Sequence, residues 1–124
     1  MNVALWIVQI LLGMAFIAAG VNHAFRYDVI KAQPMMSWVN ALPRGLMTCI
    51  GVCEILGGIG LILPALTNIL PWLTPLAGAL LAVVMLLAII FHFRRHETNA
   101  IIINLVLLVL AAFVAYGRFV ILPF

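Results

Sequence analysis

A single carboxylate, Glu54, stands in the middle of RGLMTCIGVCEILGGIGLILP, an otherwise apolar run from Arg44 to Pro64. An ionisable side chain near the centre of a bilayer costs roughly 2.5–3.5 kcal/mol by insertion scales, so it must face a bundle interior, a partner or water. Buried in this way, the carboxyl needs a proton, a histidine or a bound molecule beside it. His23, His92 and Asn104 are polar groups within apolar segments that can join it. An acid and an imidazole that share a cavity can exchange protons with a bound molecule, which is general acid–base chemistry.

Other combinations of residues carry less. His92 and His96 have the i, i+4 spacing that places two imidazoles on one helix face, and with Glu54 or His23 they would resemble a metal set. No second motif repeats that signal, so no metal centre is assigned. Cys49 and Cys53 are the only thiols, spaced four apart rather than as C-x-x-C, and a helix points them about 100° to 140° away from Glu54. They read as small packing residues. The chain has no G-x-S-x-G, phosphate loop, dinucleotide fingerprint or H-E-x-x-H.

The elements that must position these groups are membrane spans. Of 124 residues, 68% are hydrophobic and 7% charged, far from the composition of a soluble domain. The formal charge of +3 comes from a few residues at segment ends, which fits membrane topology and gives no nucleic-acid surface. The expected fold class is all-α, an integral membrane antiparallel four-helix bundle in one domain over residues 1–124. Its helices are expected at about 3–25, 44–63, 73–93 and 98–120, with Pro64 ending the second.

Residues 26–43 read as an interfacial connection that mixes Asp28, Lys31 and Asn40 with Met35, Met36 and Trp38. Trp6, Trp72 and Tyr116 fall on one side of a four-span arrangement, and Tyr27 and Trp38 on the other, as interface-seeking aromatics should. Five of the six Lys and Arg residues (Arg26, Lys31, Arg44, Arg94, Arg95) lie on the side of the first and third loops. The positive-inside rule then places both termini outside the cytoplasm.

Each span shows one face of polar and small residues at helical spacing. These faces are Gln9, Gly13, Phe16, Gly20 and His23; Met47, Ile50, Glu54, Gly58 and Leu61; Gly78, Leu81, Met85, Ala88 and His92; and Ala100, Asn104, Leu108, Ala111, Ala115 and Arg118. Small residues allow close helix approach in lipid, so these faces should meet inside the bundle. Glu54 lies about 15 Å along its helix from Arg44. The expected site is a half-depth pocket with Glu54 at its floor, His23, His92 and Asn104 in its wall, and the loop around Trp38 as its lid.

GVCEILGGIGLILP followed by PWLTPLAGALLAVVMLLAIIFH, in a four-span chain of this length, resembles the DoxX-like family of small membrane proteins. The specific parts are Glu54 ahead of Gly57, Gly58 and Gly60, then Pro64, Leu73 to Pro75, and His92. Where the family tends to keep Gly and then Lys at the end of the first span, this chain has Gly20, Asn22 and His23. The resemblance implies a bacterial cytoplasmic-membrane protein linked to respiratory redox chemistry, with Glu54 and His92 as its catalytic pair.

Joined to the face analysis, it gives His23, Asn104, Trp38 and Met85 as ligand-binding residues for a quinone-like or other small amphipathic molecule, and leaves the cofactor open, a quinone being the candidate. The partners are then the lipid bilayer and either a second copy or the other subunits of a membrane redox complex, with electrons coming from such a partner. The alternative is a non-enzymatic assembly subunit of a larger membrane complex.

Overall fold

The computed structural model describes all residues except 31, 34–37, 40 and 124. Lys31, Met35, Met36 and Asn40, which figured in the charge and interface readings, lie outside the described residues. The elements are α1 (Asn2–Phe25), a short α2 (Tyr27–Ile30), α3 (Arg44–Thr67), α4 (Leu73–Arg94) and α5 (Thr98–Tyr116), which continues as a π-helical turn over Gly117–Ile121. Four helices, taking the last as Thr98–Ile121, are long and apolar enough to cross a membrane. The protein is an all-α, multi-pass membrane bundle.

Glycine spacing explains the closest packing. Gly13 meets Gly58 and Gly20 meets Gly51, so two glycines seven residues apart on α1 face two on antiparallel α3. A Cβ on Gly51 would lie 2.6 Å from both the Gly20 carbonyl oxygen and the Ala24 amide nitrogen. Only hydrogen at these positions allows the two backbones to touch. On the other side of the bundle, Gly78 of α4 lets Ala111 and Ala115 of α5 approach in the same manner. α3 also packs on α4, and α1 on α5, closing a ring of four.

The core where the spans meet is contributed by all of them: Leu12 and Phe16, Leu61, Ala77, Leu81 and Met85, and Ala111 and Val114. A second, smaller cluster of Ile30, Val39 and Met47 docks the first loop, with Tyr27, Trp38, Leu42 and Ile50 against it.

Pro64 does not end the second span. α3 runs through it to Thr67 and stops at Asn68, whose φ of 56° is left-handed. The reason lies in hydrogen bonding. Proline has no N–H for the carbonyl of residue i−4, here Gly60. The hydroxyl of Thr74, fully buried at the start of α4, donates to that carbonyl at 3.0 Å. At the next residue, Gln9 Nε2 of α1 donates to Leu61 O at 3.0 Å. A neighbouring helix thus satisfies the carbonyl that the membrane proline leaves without its helical donor, and a second helix donates to the carbonyl beside it.

Candidate functional site

α4 ends in a tight cap that shapes one wall of the site. The Glu97 amide donates to His92 O at 3.0 Å and the His96 amide to Phe93 O at 3.2 Å, the paired bonds of a Schellman motif. His96 takes the left-handed position, with φ 57°, where glycine is usual. The chain therefore folds back so that Glu97, five residues on from His92, reaches its ring: His92 Nδ1 and Glu97 Oε1 are 2.9 Å apart. Arg95 Nε donates to the same oxygen at 3.0 Å. Burial pushes the Glu97 carboxyl up, but the hydrogen bonds from His92 and Arg95 and the charge of Arg95 outweigh it and hold the group below its ordinary value of 4.5.

On the opposite wall, α1 and α3 form a second acid–imidazole pair. His23 Nδ1 lies 2.7 Å from Glu54 Oε1, and Glu54 is 3% exposed. The Gly20–Gly51 contact one turn away brings the two helices close enough for this bond. Glu54 and His92, expected as a catalytic pair, stand on opposite walls, and each has its own hydrogen-bond partner: His23 for Glu54 and Glu97 for His92.

Between the two pairs sits Trp38. Its indole makes edge contacts with His23 at 5.7 Å and His92 at 5.0 Å between ring centroids, and with Phe91 at 6.2 Å. Buried Val39 and the Ile30–Val39–Met47 cluster hold it there.

These groups surround one cavity of about 950 Å³. All six residues singled out from sequence line it: Glu54, His92, His23, Asn104, Trp38 and Met85. Leu46, Leu87 and Ile103 also line it and are 45%, 61% and 54% exposed, so its apolar wall continues onto the outer face of the bundle, where lipid lies. The arrangement can hold a molecule with a polar head between two acid–imidazole pairs and an apolar body reaching toward the bilayer.

Glu97 was missed by sequence reasoning, which followed helix faces and stopped at the end of the third span. Its signal was an acid just beyond a C-terminal cap. That same cap removes His96 from the helical face of His92, because α4 ends at Arg94. Among the described residues, no three or more His, Cys, Asp or Glu side chains are grouped to hold a metal ion. Cys49 and Cys53 are free, exposed thiols on the outer face of α3, away from the cavity as their spacing indicated.

A separate polar network lies at the other end of the bundle, where the depth argument from sequence had placed no site. Arg118 Nε donates to Gln9 Oε1 at 2.7 Å and Arg118 Nη1 to Asn2 Oδ1 at 2.9 Å, with the guanidinium over the Trp6 ring. Gln9 and Arg118 are both buried. The network ties α1 to the π-helical end of α5 and, through Gln9, to the carbonyl of Leu61 beside Pro64.

Four apolar spans around a largely apolar, lipid-open cavity that carries two acid–imidazole pairs define a multi-pass membrane protein of the small helical-bundle class. The sequence profile of the DoxX-like family matches residues 7–114, and the chain belongs to that family. The match covers every residue of the large cavity but stops short of Arg118. Neither curated proteins nor solved structures gave a match.

Proposed function

We propose that the cavity binds a quinone-like amphipathic molecule and exchanges protons with it, the protein acting as an accessory subunit of a membrane redox complex. One observation carries the reading: two acid–imidazole pairs, His23–Glu54 and His92–Glu97, flank a single cavity that opens toward lipid. A planar head with oxygens at its edges finds hydrogen-bonding partners on both walls. Its apolar tail leaves past Leu46, Leu87 and Ile103.

When a quinone is reduced, each carbonyl oxygen takes up a proton as electrons arrive; when the hydroquinone is oxidised, the protons leave. The imidazoles of His23 and His92 are the groups that give and take these protons, with Glu54 and Glu97 holding the rings. Asn104 and Met85 shape the wall, and Trp38 closes the side of the first loop. Electrons pass to and from a partner subunit. The protein belongs in a bacterial cytoplasmic membrane with both termini outside the cytoplasm, since Arg26, Arg44, Arg94 and Arg95 cluster at the cavity end and Arg118 lies at the other.

The test is mass spectrometry of lipid-soluble molecules that co-purify with the wild type and with Glu54→Gln, both in native-like membrane discs. A quinone retained by the wild type and lost in the variant is the expected result. No bound small molecule in either, with protein partners retained by both, would replace this reading with an assembly subunit.

A further inference from the structure

We propose that Glu97 is a positioning residue that fixes His92 in its Nδ1–H form, so that the ring offers the cavity a bare Nε2 and the site prefers a ligand carrying a hydroxyl there. The second half rests on the quinone-like reading above and makes it more specific: the form bound at His92 is the hydroxyl-bearing, reduced one.

The argument starts from the donor and acceptor inventory. A carboxylate is acceptor only, and a neutral imidazole carries its one proton on one nitrogen. Glu97 Oε1 already accepts from Arg95 Nε at 3.0 Å, and this bond together with the Arg95 charge keeps the carboxyl ionised. The His92 nitrogen 2.9 Å away must therefore be the one that bears hydrogen. That leaves Nε2, without a proton while the ring is neutral, as the nitrogen available to a ligand. His92 is 3% exposed and lines the cavity, so this nitrogen meets the cavity's contents rather than bulk water.

An acceptor in that place selects its partner. A ligand hydroxyl donates to Nε2, whereas a ligand carbonyl set against it leaves two acceptors facing each other in a poorly solvated site. The hydroxyl also has a place for its proton: when the O–H bond breaks, the bonding pair stays on the ligand oxygen, the proton passes to Nε2, and the ring becomes an imidazolium facing the Glu97 carboxylate. The same logic, a carboxylate holding one ring nitrogen so that the other does the chemistry, governs oriented histidines in catalytic and metal sites. The backbone supports it here, since the Schellman turn and left-handed His96 are what bring Glu97 to the ring.

The experiment uses the full chain in native-like discs. Solid-state NMR of ¹⁵N-labelled histidine, with the His92 signal assigned through Phe91 and Phe93, reads which nitrogen carries the proton. The wild type should show Nδ1–H; Glu97→Ala should shift His92 to Nε2–H, the form favoured in water; and Glu97→Gln should restore Nδ1–H, because its amide oxygen still accepts. Wild-type His92 in the Nε2–H form, or a Glu97→Ala spectrum identical to wild type, overturns the positioning role. The second arm measures the affinities of trimethylhydroquinone and trimethylquinone. The wild type should prefer the hydroquinone by about tenfold, the worth of one hydrogen bond, and Glu97→Ala should lose that preference. Equal or tighter quinone binding by the wild type overturns the ligand preference. Failure of both probes to bind overturns the quinone-like reading itself, while the NMR result decides the role of Glu97 independently.

Discussion

Replacing Thr74 by valine keeps the outline of the side chain and removes one hydroxyl, and the structure locates the loss at a single carbonyl. Gly60 O would ordinarily accept from residue 64, but Pro64 has no N–H, and Thr74 Oγ1 takes its place at 3.0 Å. Thr74 is fully buried, so water does not substitute. Hydrogen bonds between membrane helices average about 0.6 kcal/mol and reach about 1.7, the low mean arising because stranded groups usually find other partners. Gly60 O has lost its helical donor, so Thr74→Val should cost about 1.5 kcal/mol. The measurement is reversible unfolding in bicelles, run as a double-mutant cycle with Pro64→Ala. Alanine at 64 restores the helical N–H, and on that background Thr74→Val should cost about 0.5 kcal/mol or less, giving a coupling of about 1 kcal/mol. An equal cost of Thr74→Val in both backgrounds would refute the claim that the hydroxyl substitutes for the missing amide.

Four further outcomes are expected. Gly51→Ala places a Cβ 2.6 Å from the Gly20 oxygen and Ala24 nitrogen and should destabilise the bundle by about 1–3 kcal/mol. Gly45→Ala, with nothing within 4 Å, should change stability by about 0.5 kcal/mol or less in the same unfolding assay. Gln9→Leu takes an acceptor from Arg118 and a donor from Leu61 O, and should cost about 2 kcal/mol, read as earlier unfolding of the α1–α5 contact by hydrogen exchange. The carboxyl of Glu97 is held below 4.5 in the folded protein, so its contribution is fully present above that value and is lost as pH falls through the lower, folded one. Amide exchange in the α4–α5 loop should therefore quicken only at acid pH, and Glu97→Gln should remove that dependence.

Much of the architecture was legible because hydrocarbon thickness and helical rise act on local composition alone. The number of spans, their approximate starts and the inward face of each followed from residues such as Glu54, Gly58, Gly78 and Asn104. The error at Pro64 came from a local rule that a distant threonine overrides. The cavity lining was readable as a set, since Glu54, His23, His92, Asn104, Trp38 and Met85 all face it. Glu97 escaped because its place depends on a left-handed turn at His96, where no glycine marks the helix end in the sequence.

What the sequence determined by itself is that this chain has four spans and places a carboxylate and imidazoles toward the same end of the bundle. Tertiary structure decided which acid meets which ring. Side chains on a helix rotate by about 100° per residue, and small changes in how two helices cross exchange one neighbour for another at hydrogen-bond distance. The Gly20–Gly51 contact sets that crossing for α1 and α3 and brings His23 to Glu54, leaving His92 for the acid that its own helix cap supplies.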